Sequence, residues 1–164
     1  MNLQKEVNPV FEQLVSPSTP LTEQGQAGAE CRALDVSVVF TSAEPTVYAL
    51  KKACALAGTL DLRITLIVPQ VVPYQVPLHS PPVLIDFQEA RLRPIAALTA
   101  VETTVRIYLC RDRWEALNSV LKPRSLVILG GRRKWWPTPE RRLARKLRRA
   151  GHEVIVTELE HANA

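Results

Sequence analysis

Five short apolar runs, each separated from the next by a stretch of helical spacing, constrain this chain more than any other feature. They are DVSVVFT from Asp35, LRITLIV over Leu62–Val68, TTVRIYLC over Thr103–Cys110, SLVILGG over Ser125–Gly131 and EVIVTEL over Glu153–Leu159. All are rich in β-branched and aliphatic residues, and three are continuous rather than alternating, as in strands covered on both faces. Between them lie helical stretches. Glu44-Pro45-Thr46 opens the first, with Ser42 or Glu44 near its cap, an inner face of Val47, Leu50, Cys54 and Leu56–Ala57, and Gly58 at its end. Val83–Ala100 forms the second, which Pro94 should kink or divide. Arg113–Leu121 is a short third, and Pro139–Ala150, closed by Gly151, is the fourth. The alternation predicts an α/β fold: an open, Rossmann-like, mostly parallel sheet of five strands with helices on both faces.

The domain predicted this way spans residues 35–159. Residues 1–34 carry Pro9, Pro17, Pro20, Gly25 and Gly28 among polar residues and read as a flexible tail, with one short helix around Pro9–Val15. Residues 160–164 form a C-terminal tail. The proline-rich stretch PQVVPYQVPLHSPP, long for an internal connection, reads as a lid or a partner surface.

Composition narrows the class. Apolar residues make up 46% of the chain, and no apolar run reaches the roughly 18 residues of a membrane span. Cys31, Cys54 and Cys110 lie far apart, which fits neither a disulfide framework nor a zinc site, and with no secretory pattern at the start the expectation is a cytoplasmic protein. Charge is unevenly placed. Residues 132–149 hold nine of the 21 Lys and Arg against the single acid Glu140, so an anionic partner is expected there.

In an open parallel sheet a ligand sits beyond the carboxyl ends of the strands, where their order reverses. That places Thr41, Ser42, Pro69, Gly130, Gly131, Arg132, Arg133 and Lys134 around any pocket. Two readings of the basic segment follow. In one, Arg132, Arg133 and Lys134 bind an anionic ligand through side-chain charge. In the other, Arg141, Arg142, Arg145, Lys146 and Arg149 are the solvated face of a helix whose stripe is Leu143 and Leu147; the same residues are the candidates for nucleic acid or another polyanion. Trp135 and Trp136 could stack on bases. His79, His152 and His161 have neither metal spacing nor a nucleophile beside them, Asp86, Asp112 and Glu115 form no evident carboxylate pair, and Cys110 reads as a buried structural thiol. No catalytic constellation is found, and the expectation is a protein without enzymatic activity.

The segments VSVVFTSAEPTVYALKKACALA, LRITLIVPQVVP and SLVILGG, in order over about 125 residues, resemble the universal stress proteins. The resemblance implies their fold, a stress-response role, a homodimer paired through the last strand (Val154–Thr157 here) and, in ATP-binding members, a phosphate loop. That loop has a glycine, two residues, a second glycine, nine residues, then glycine with Ser or Thr. Backbone N–H groups exposed by the glycines and by the helix N-terminus hold the phosphates. Gly130 matches the first glycine. The second falls on Arg133, the last pair near Leu143 and Ala144, and the acidic residue that the family places near the adenine corresponds to Thr41. The motif is degraded, so nucleotide binding is expected to be lost or altered, with ATP or another nucleotide the cofactor that remains to be considered.

Overall fold

The structure is a computed structural model that describes residues 11–15, 34–57, 62–99, 101, 103–133, 135 and 137–159. The runs fold as expected into strands β2 (Leu34–Val39), β3 (Leu62–Val71), β4 (Thr103–Cys110), β5 (Leu126–Arg132) and β6 (Glu153–Leu159), preceded by β1 (Phe11–Val15). Helices α1 (Ala43–Ala57), α2 (Ile85–Ala97), α3 (Arg113–Val120) and α4 (Pro139–Arg149) connect the five later strands. The sheet order is β1-β4-β3-β2-β5-β6. All pairs from β4 to β6 are parallel.

β1 is a departure from expectation. The spacing around Pro9–Val15 predicts a short helix, but Phe11–Val15 pairs antiparallel with β4, Phe11 opposite Leu109 and Val15 opposite Val105. Without it β4 would be an edge with a row of unpaired N–H and C=O groups, and that tertiary pairing overrides a weak helical spacing. The remainder of the 1–34 tail and the tail at 160–164 lie outside the described residues.

Two apolar layers sandwich the sheet. On one face, Ala49, Leu50 and Ala53 of α1 and Leu92 of α2 pack on Val36, Val38, Ile64, Leu66, Val105 and Ile107. On the other, Leu117 of α3 and Leu143, Ala144 and Leu147 of α4 pack on Val39, Ile67, Val127 and Leu129. The buried stripe of α1 is Thr46, Ala49, Leu50 and Ala53, rotated from the expected Val47, Leu50 and Cys54 face. Alanines let the helix approach the sheet closely, and the Thr46 hydroxyl is buried because it has a backbone partner, described below. α2 runs on through Pro94 rather than dividing there; Pro94 is exposed, where water can serve the freed carbonyl. α4 closes as expected, with Gly151 at φ 92° beyond its end. Among the described residues no helix is long and apolar enough to cross a membrane.

Candidate functional site at the sheet switch point

β2 leads through α1 to β3 on one side, while β5 lies on its other side, so the carboxyl ends of β2 and β5 flank the point where strand order reverses. The chain fills much of this crevice with its own backbone. The Thr41 hydroxyl donates to the Gly130 carbonyl at 2.7 Å, and the Thr41 N–H donates to the Thr46 hydroxyl at 3.2 Å. The first turn of α1 is thereby pulled onto the end of β5. A Cβ added to Gly130 would lie 2.0 Å from the Pro45 carbonyl oxygen. Gly130 is therefore a glycine because α1 packs on it, a sufficient reason that involves no phosphate. Gly131 is different: an added Cβ would meet only the Glu140 side chain, at 3.7 Å from its Cβ and 3.9 Å from its Cγ.

Beyond β5 the expected anion-binding side chains diverge. Arg132 forms an ion pair with Glu44 at 2.8 Å across the mouth. Arg133 is exposed and its N–H donates to the Leu159 carbonyl, extending the pairing to β6. Trp135 is 94% exposed and does not fill the crevice. Lys134 and Trp136 lie outside the described residues. Pro69 is buried within β3 opposite Tyr108. It stands beyond the last β2 partner of that strand, so its missing N–H removes no ladder bond. Among the described residues it lines neither of two cavities at this end of the sheet.

Those two cavities flank α4. One, of about 480 Å³, is lined by Ser42, Pro45, Arg132, Thr138 and Glu140. The other, of about 270 Å³, lies between the starts of α3 and α4 and is lined by Thr41, Asp112, Trp114, Glu140, Arg142 and Lys146 among others. Residue counting placed the family's terminal hydroxyl at Ala144. In the structure Leu143 and Ala144 are core residues of α4, and the hydroxyl at the helix start is Thr138. The loop from β5 is shorter than the family spacing assumes. Thr138 Oγ1 accepts from the Arg141 N–H at 3.3 Å, Pro139 has no N–H to offer, and Glu140 puts a carboxylate in the first turn. With the Arg133 side chain where a glycine is needed, this donor set does not fit a triphosphate cradle. Thr138, Thr46 and Glu140 are the site residues that motif matching missed. The signal for Thr138 was present, as Thr-Pro before a helix is an N-cap followed by proline at the first helical position.

The basic helix is partly engaged in the fold. Arg141 pairs with Glu158 at 2.6 Å, Arg148 donates to the Val154 carbonyl, and Lys146 lies over the Trp114 ring at 5.7 Å. Arg142, Arg145 and Arg149 are exposed on one side of α4. The proline-rich loop is pinned rather than laid over the crevice: Arg111 donates to the Val72 and Pro73 carbonyls and stacks on Tyr74 at 5.3 Å. Burial pushes the Cys110 thiol up to about 11, so it stays protonated at neutral pH. Among the described residues no group of three His, Cys, Asp or Glu could hold a metal ion.

The fold of this chain is that of the universal stress proteins. A crystal structure of a protein of that family from Burkholderia pseudomallei superposes with a TM-score of 0.55 at 18% identity, over 79% of this chain and 98% of the other. A universal stress protein from Archaeoglobus fulgidus gives 0.54 at 12% identity, over 75% and 92%. No protein-family model matches the sequence, and comparison with curated proteins yields no match either.

Proposed function

We propose that this protein is a regulatory or interaction domain of universal-stress type, acting in a stress response in the cytoplasm without catalytic activity, and that its switch point has lost ATP binding. The observation that carries the reading is the contact between Pro45 and Gly130, where the one glycine aligned with the phosphate loop is used to seat α1. The self-capped start of α4 supports it, because the N–H of Arg141 that would face a phosphate already has a partner. The test is native mass spectrometry of the purified full chain together with nucleotide analysis of its acid extract. The expected result is protein without stoichiometric nucleotide; co-purifying ATP would overturn the reading.

Pairing with a second copy through β6 belongs to the same proposal. β6 ends the sheet, and Ile155 and Val156 remain half-buried along it. Sedimentation at tens of micromolar should give a dimer, and a monomer there would remove this part. A second reading is supported by Arg142, Arg145 and Arg149, which recur on one side of α4 with no ion pair among the described residues. Through them α4 would hold nucleic acid or another polyanion, with affinity falling steeply as salt rises. Gel shifts with single-stranded and duplex DNA at low salt test it. Absent binding, or binding unchanged when the three arginines become Glu, rejects it.

A further inference from the structure

A parallel sheet covered on both faces should present apolar side chains on each, but the α3–α4 face of this one does not at the amino ends of its central strands. Strand register aligns Ser37 of β2 with Thr65 of β3, and Thr65 with Thr104 of β4, so three hydroxyls form one row across the sheet. The row before it pairs Asp35 with Arg63, and the row after it aligns Val39, Ile67 and Arg106. α3 has only eight residues, about 12 Å of helix. Its Leu117 covers the carboxyl half of this face, and the amino half is left as a cavity of about 280 Å³. Val120, Lys122 and Ser125 form its far wall.

The chemistry of the lining is specific. The side-chain hydroxyls of Ser37, Thr65 and Thr104 line the cavity and make no hydrogen bond among the described residues. A half-buried hydroxyl without a partner forfeits hydrogen bonding it would have in water, so a row of three is costly unless something occupies the space. Asp35, the carboxylate of the lining, is bound to Lys122 at 2.5 Å. Among the described residues Arg63 has no ion pair, and the lining carries three cationic side chains, Arg63, Arg106 and Lys122, against the single carboxylate of Asp35. Ser125 is held at the wall by His152 Nδ1 at 3.0 Å. Guanidinium groups beside several hydroxyl donors are the donor set of an oxyanion site.

We infer that this cavity binds a small oxyanion of phosphate or sulfate type, free or carried on a small polyol. It lies at the opposite end of the strands from the switch point, so it stands or falls independently of the reading given above for that crevice. The test is a titration of the ¹⁵N-labelled full chain with inorganic phosphate, inorganic sulfate and glycerol 3-phosphate, each against sodium chloride at matched ionic strength. Saturable shifts of the Ser37, Thr65 and Thr104 amides with the oxyanions and not with chloride are expected. Glycerol 3-phosphate binding more tightly than phosphate identifies a polyol ester as the ligand, and equal affinities identify the free ion. Arg63→Gln, at an exposed position whose loss leaves the fold intact, should weaken binding about tenfold or more. Thr65→Val keeps the side-chain shape and should weaken it less. Shifts that merely follow ionic strength, shifts confined to Thr41 and Gly130, or undiminished affinity in both variants would overturn the assignment.

Discussion

The two ends of the same parallel strands use their polar side chains in opposite ways. At the carboxyl end, Thr41, Thr46 and Thr138 each bond to backbone within the fold, and the principal cation there, Arg132, is matched by Glu44. At the amino end, Ser37, Thr65 and Thr104 face a cavity, and among the described residues their hydroxyls make no hydrogen bond and Arg63 has no ion pair. At the end where this fold class places its ligands the threonine hydroxyls are thus spent on the chain's own backbone, while at the other end hydroxyls without a partner among the described residues line a cavity. A threonine at one end is a structural clamp; at the other it is a ligand group waiting for a partner.

Substitutions can break or sharpen this contrast. The largest effect is expected at Gly130. Gly130→Ala drives a methyl into the Pro45 carbonyl and should destabilise the protein by about 3 kcal/mol, whereas Gly131→Ala next to it should change stability by less than about 0.5 kcal/mol. Urea unfolding of the two variants gives the comparison; equal tolerance would mean that α1 does not need the close approach. Next is Thr46→Val, which leaves the Thr41 N–H without its acceptor in a buried setting and should cost about 1–3 kcal/mol. Thr138→Ala removes the α4 cap and should lower stability by about 1 kcal/mol. Thr65→Val at the other end should be the smallest, within about 0.5 kcal/mol or slightly stabilising, because no bond is lost. A loss at Thr65 as large as that at Thr46 would erase the distinction between the two ends.

Cys110 adds a pH test. Its folded-state value is raised from 9.0 to about 11 by burial, the nearby Arg113 and Asp112 having opposed lesser effects. The native state therefore prefers the neutral thiol. That contribution is fully present below pH 9 and is lost as pH rises through about 11. In a Cys31→Ser, Cys54→Ser background, labelling by a thiol reagent at pH 8 should follow unfolding; rapid native labelling would contradict the burial.

Much of the fold was legible in the sequence because each β-branched run is long enough to declare a strand and each helix carries punctuation. Pro139 begins α4 and Gly151 ends it, as expected. β1 was not legible, since FEQLV has no strong period of its own and becomes a strand by completing the edge of β4. Of the residues expected around the switch point, Thr41, Ser42, Gly130, Gly131 and Arg132 stand at the carboxyl ends of β2 and β5, whereas Pro69 is buried within β3 and Lys134 lies outside the described residues. Gly130 matches a motif while serving packing, and counting residues from it led past Thr138 into the core of α4. The hydroxyl row was visible as polar residues at alternate positions (Asp35 and Ser37, Arg63 and Thr65, Thr104 and Arg106). The continuous apolar character of the first two runs conceals it, because alternation becomes a shared surface only when register sets the strands side by side.

Calorimetric titration of the full chain with Mg–ATP tests the proposed loss of nucleotide binding most directly, because it reads the switch point at which Thr41, Pro45 and Gly130 are packed together. No saturable heat is expected with the nucleotide in large excess. Stoichiometric binding in the micromolar range, weakened by reversing Arg132 to Glu, would contradict it.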